Sequence, residues 1–110
     1  MNRDPVETLD ARLLAQVRDL LDVSPATEAE LRTLIETTDG WERALRAQLD
    51  GSERRLDRLV TDPACSLAEL ARELRRVERL RPAVDDVTRR RLRLEDEARQ
   101  LRTQWLLHQA

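Results

Sequence analysis

Apolar residues recur along this chain at intervals of three and four, the spacing of one helix face, and no stretch alternates as a strand would. Val6, Leu9, Leu13, Val17 and Leu20 form the first stripe, and Leu14 and Leu21 widen it. A stripe this wide suits a helix with more than one neighbour. Asp4 is placed to cap it, Pro5 suits the first helical position, and Glu7 follows the cap by three residues. The predicted helix covers 4–22.

"VSPATEAE" interrupts that stripe. Either Ser24 with Pro25 or Thr27 with Glu30 caps the next helix, 25–38, whose apolar side is Leu31, Leu34 and Ile35. At "TTDGWER" the phase slips. Asp39, with Glu42 three residues on, reads as a new cap, and Gly40 as a break or sharp kink. A helix over 39–60 then carries Leu45, Leu49, Leu56 and Leu59, with Ser52 as the small polar member of the stripe. "TDPACS" is the clearest turn. Ser66 and Glu69 cap a helix over 66–81 bearing Leu67, Leu70, Leu74 and Val77. A last helix, 82–108, follows the rhythm Leu80, Val84, Val87, Leu94, Ala98, Leu101, Trp105. The two registers differ by a three-residue jump at Pro82, the signature of a stammer. A proline inside a helix removes a hydrogen bond and kinks it. The expected fold is therefore all-α: one domain over 1–110, an antiparallel helical hairpin or bundle with coiled-coil-like seams. It has five helical segments, kinks near Gly40 and Pro82, and the first helix laid along the hairpin.

Composition agrees with long helices. The chain has 110 residues, 40% of them hydrophobic, with two Gly, four Pro and neither Phe nor Tyr. All twenty basic residues are arginine, which reads as GC-rich codon usage in a bacterium. Charged residues make up 38%, yet the net charge is only −2, a balance unlike that of disordered chains. Cys65 is the one cysteine, so an intrachain disulfide is excluded and a reducing cytoplasm is the expected location. No apolar run approaches membrane-spanning length, and "MNRDPVETLD" lacks an apolar signal core.

Candidate chemistry is sparse. His108 is the one histidine and lies two residues from the end, a poor place for a triad or a metal site. No Glu-x-x-His occurs, and the two glycines are too far apart to cradle a phosphate. Cys65 beside a helix start invites a lowered thiol pKa, although a turn filler is the plainer role. The expectation is a protein with no catalytic residues, no cofactor and no metal.

The densest charge lies in "DDVTRRRLR". Arg89 and Arg93 share one side of a helix, Arg90 points a quarter turn away, and Arg91 falls in the apolar stripe between Val87 and Leu94. Asp85, Asp86, Glu95 and Glu97 each lie four residues from one of these arginines, as in paired helix surfaces. Arg91 either lays its stem across the seam with its head in water or meets a carboxylate of another helix. Charge favours the second: residues 1–62 hold nine Arg and fourteen acids, residues 63–110 eleven Arg and eight acids.

Two functional classes follow. The first is a non-catalytic interaction module, such as a small adaptor, chaperone or assembly factor, self-associating as a dimer or larger. Its candidate partner-binding residues are Arg91, the two tryptophans Trp41 and Trp105, and the consecutive Leu106 and Leu107 of "QWLLHQ". The second is a DNA-binding regulator. "SLAELAREL" resembles the first helix of a helix-turn-helix, which implies a nucleic-acid face drawn from Arg75, Arg76, Arg79, Arg89, Arg90 and Arg93. The tight glycine turn of that motif is replaced by "RRVERLR", and the pI of about 5.5 opposes it.

Overall fold

The computed structural model describes residues 5–21 and 27–109, with side chains from 10–19 and 27–109. Among the described residues there are three helices and no strand: α1 (Pro5–Leu21), α2 (Glu28–Thr61) and α3 (Leu67–Gln109). The five expected segments thus become three. The expected caps Asp4 and Ser24–Pro25 lie outside the described residues, as do the side chains of Val6, Leu9, Leu20 and Leu21.

Helix α2 opens on Thr27, whose Oγ1 accepts the Glu30 amide at 3.1 Å. It then runs straight through the expected break at Asp39 and Gly40. Three threonine hydroxyls satisfy themselves on the helix: Thr33, Thr37 and Thr38 donate to the carbonyls of Ala29, Thr33 and Leu34 at 3.0, 2.8 and 2.6 Å. Asp39 does not cap a new helix but pairs with Arg43 at 2.9 Å. Gly40 keeps a negative φ and costs the helix about 1 kcal/mol against alanine.

"TDPACS" makes the turn between α2 and α3. Asp62 closes it twice: its Oδ1 accepts the Ala64 amide at 2.9 Å and its carbonyl the Cys65 amide at 3.1 Å. Ser66 Oγ then caps α3 by accepting the Glu69 amide at 3.1 Å. The pairs Glu42–Arg91, Arg46–Thr88, Glu53–Arg81 and Arg55–Glu73 run in opposite order along the two helices, so α2 and α3 are antiparallel.

Helix α3 is continuous through Pro82, and the stammer expected there is absent. Its inward stripe reads Leu70, Glu73, Val77, Leu80, Val84, Val87, Arg91, Leu94 and Ala98, alternating three and four without a jump. The expected stripe before Pro82 included Leu67 and Leu74, but these are 84% and 45% exposed. Glu73 takes the inward place beside Leu74 because Arg55 of α2 pairs with it at 3.5 Å. A charged residue in the stripe is what made one register look like two.

The core has two clusters. Val17, Leu45, Leu80, Ala83, Val84 and Val87 form the larger, where α1 joins α2 and α3. Leu31, Leu34 and Leu94 form the second, toward the start of α2. Asp10 of α1 meets Arg76, and seven residues on Val17 enters the larger cluster, so α1 follows the direction of α3. The molecule measures 69 × 30 × 15 Å along its principal axes, so it is long and thin.

Candidate functional site

Three features stand out: two polar layers inside the bundle and an apolar end outside it. The first layer is built on Glu42. This residue lies four after Thr38 and three before Leu45, at core spacing, and is 5% exposed. Its Oε1 accepts from Arg46 Nη2 and Thr88 Oγ1, both at 3.1 Å. Its Oε2 accepts from Arg91 Nε, and Arg91 Nη1 donates to Glu95 Oε1 at 3.0 Å. Arg91 therefore meets a carboxylate across the helix pair as well as one on its own helix.

Electrostatics follow from that geometry. The hydrogen bond from Arg91 holds the Glu42 carboxyl below the ordinary carboxylate range; burial opposes this, and Arg46 and Thr88 assist it. Glu42 and then Glu95 raise the pKa of Arg91.

The second layer ties α1 down. Asp10 accepts from Arg76 Nε at 2.8 Å and Nη2 at 3.3 Å, and Arg79 approaches it at 3.9 Å. Arg76 Nη2 also donates to Gln48 Oε1 at 2.6 Å. The planar guanidinium suits this forked contact with a carboxylate. Asp10 and Glu73 were not among the residues singled out from sequence, and Glu42 entered there only as the partner of Asp39 in a helix cap. Their signal was position: each stands at three-and-four spacing within a run of apolar residues.

The apolar end is the C-terminal stretch of α3. Glu28, the first residue of α2, lies level with Leu101, Arg102 and Trp105, which together line a groove of about 240 Å³. The inward stripe of α3 continues to Leu101 and Trp105, yet α2 stops there. Trp105, Leu106 and Leu107 are 62%, 61% and 70% exposed.

The other candidates fall elsewhere. Trp41 is partly buried against the larger core cluster. The six arginines of the nucleic-acid reading are split: Arg76 is buried on Asp10 with Arg79 beside it, and Arg75, Arg89 and Arg93 are exposed. Arg90 is half-buried. Of the four-residue pairs expected around "DDVTRRRLR", Arg91–Glu95 closes; Arg89 and Arg93 are exposed and make no ion pair among the described residues. The Cys65 thiol is pushed up by desolvation and nearby Glu69 rather than lowered, so the helix start does not activate it. His108 is exposed. Among the described residues no three His, Cys, Asp or Glu gather into a possible metal site, and no helix is long and apolar enough to cross a membrane.

No protein-family model matches the chain, and no curated protein or solved structure is detectably similar to it.

Proposed function

We propose that the protein is a non-catalytic helical interaction module, an adaptor, chaperone or assembly factor of the bacterial cytoplasm, which docks a protein partner on the C-terminal end of α3. One observation carries this reading. Leu101, Trp105, Leu106 and Leu107 present four large apolar side chains to water within seven residues, the densest such run among the described residues. Exposed apolar patches of this kind mark interaction sites, and tryptophan is enriched among residues that dominate binding energy. Arg91 supports the site from within: its bond to Glu42 fixes α3 against α2 one turn before the second core cluster. Trp41, partly buried against the larger core cluster, is no part of this surface.

The nucleic-acid reading has less support, because its arginines point several ways and Arg76 with Arg79 is engaged by Asp10. The test compares affinity capture of wild type with Trp105→Arg and Leu106→Arg variants, in the cells that make the protein. The wild type should retain a protein that both variants lose, with helix content by circular dichroism unchanged. Identical captured proteins from all three would overturn the reading. Retention of duplex DNA that fades with salt would favour the alternative.

A further inference from the structure

Besides its inward stripe, α3 carries a second one. At about 100° per residue, Leu92, Glu95, Arg99, Arg102 and Leu106 fall within an arc about 80° wide. Their spacing of three and four copies that of the buried stripe. Leu92 and Leu106, at its two ends, are 50% and 61% exposed. Glu95, Arg99 and Arg102 lie between them. A groove of about 430 Å³ runs beside this stripe, with Ile35 and Glu36 of α2 on one side and Glu95, Arg99 and Arg102 of α3 on the other.

Its charges are not closed. Glu95 gives Oε1 to Arg91, and its side chain remains 37% exposed. Arg99 contacts Asp96 at 3.4 Å. Arg102 lines both this groove and the one under Trp105, and it has no ionic partner among the described residues.

The stripe is complementary to itself when reversed. Set antiparallel to a second copy, Leu92 faces Leu106 of that copy and Leu106 faces its Leu92. Glu95 meets Arg102 and Arg102 meets Glu95. Arg99 lies on the two-fold axis, where Asp96 from each chain offsets the like charge. Set parallel, the same stripe would put Glu95 on Glu95 and Arg102 on Arg102. A two-fold contact repeats every interaction, so one matched charge pair counts twice. The 92–106 stretch is about 21 Å long at 1.5 Å per residue.

We infer that a second copy of this chain occupies this face, with the two α3 helices antiparallel about Arg99. The inference names the occupant of the surface proposed above and rests on that reading. Trp105 and Leu107 lie on either side of the contact, and Leu101 lies outside it, toward the inward stripe.

Sedimentation velocity at micromolar concentration should give twice the chain mass of 12.8 kDa. Arg102→Glu sets an acid against Glu95 of the second copy and should halve the sedimenting mass with helix content unchanged. Geometry is read by oxidative crosslinking in a Cys65→Ser background. Arg99→Cys should link to itself, whereas Leu92→Cys and Leu106→Cys should link only when the two variant chains are mixed. A monomeric wild type would overturn the inference, as would an Arg102→Glu variant that stays dimeric or Leu92→Cys chains that link to themselves. A monomer that still captures a foreign protein through Trp105 sinks this inference and leaves the interaction-module reading standing. A monomer that captures nothing through Trp105 removes both.

Discussion

Replacing the Glu42–Arg91 pair by leucines, singly and together, tests the account of the first polar layer. Glu42→Leu removes a carboxylate that accepts from Arg46, Thr88 and Arg91. Breaking a fully buried ion pair costs about 3–5 kcal/mol. Here Arg91 is 22% exposed and keeps Glu95, and Arg46 is 53% exposed, so a discount brings the expected loss to about 2 kcal/mol. Arg91→Leu leaves Glu42 with Arg46 and Thr88, and its cost is that of one charged hydrogen-bond partner with others remaining, about 1 kcal/mol. The double variant strands no buried charge. Leucines of suitable volume in place of a buried pair are neutral or stabilising, so it should unfold within about 1 kcal/mol of wild type. The single costs then overshoot the double by about 3 kcal/mol, the coupling of the pair. Urea unfolding followed by circular dichroism at 222 nm measures all four proteins, with equal m-values as the check on two-state behaviour. Additive losses would refute the reasoning: Glu42 and Arg91 would then be independent surface groups.

Three further predictions follow from the same contacts. Because Arg91 lowers the folded pKa of Glu42, this residue contributes stability that is present above the unfolded value of about 4.3 and lost as pH falls through the folded value. Glu42→Gln should therefore flatten the acid limb of the stability–pH curve, and parallel curves for the two proteins would contradict it. Asp10→Asn leaves buried Arg76 with Gln48 as its main partner and should loosen α1, costing about 2 kcal/mol. Hydrogen exchange should speed up in α1 before it does in α2 or α3; unchanged α1 protection would count against the role of Asp10. Pro82 is exposed inside an unbroken α3, so Pro82→Ala should raise stability, by at most about 3 kcal/mol, and a loss of stability would show that the proline fits a distortion α3 needs.

The helical class, the "TDPACS" turn and the caps Thr27 and Ser66 were legible because each depends on residues close in sequence. The number of helices was not. Asp39 and Glu42 present the pattern of a capping box, but Glu42 faces inward to Arg91, forty-nine residues away. Once Glu42 is claimed by another helix, the local cap has no partner and α2 continues. The same reason explains Pro82. Reading Leu74 as inward and Glu73 as outward follows hydrophobicity, and it fails because Arg55 compensates Glu73 from α2. The site shows the same division. Trp105, Leu106 and Leu107 were visible as consecutive apolar residues that no single face could bury. Whether anything covered them depended on where α2 begins.

That last dependence locates the unfinished part of the fold. The turn pins the two helices at one end, and the Arg55–Glu73 pair lies close to it. The Glu42–Arg91 layer pins them far from the turn, where aliphatic residues alone would allow sliding. A slip of one heptad would put Val84 or Ala98 opposite Glu42 and strand its buried carboxylate, at a cost of several kcal/mol. Leucine layers would scarcely register the same slip, because one apolar contact replaces another. The polar layer therefore fixes how far α3 reaches beside α2. With α2 at 34 residues and α3 at 43, the register it enforces leaves Leu101 and Trp105 level with the first residue of α2. The exposed end is thus a consequence of the register, and a sequence that spends a buried ion pair on that register holds the end open in a fixed geometry. Leucines at 42 and 91 should keep the stability and lose that definition, so the double variant, though as stable as wild type, should bind its partner through Trp105 less tightly.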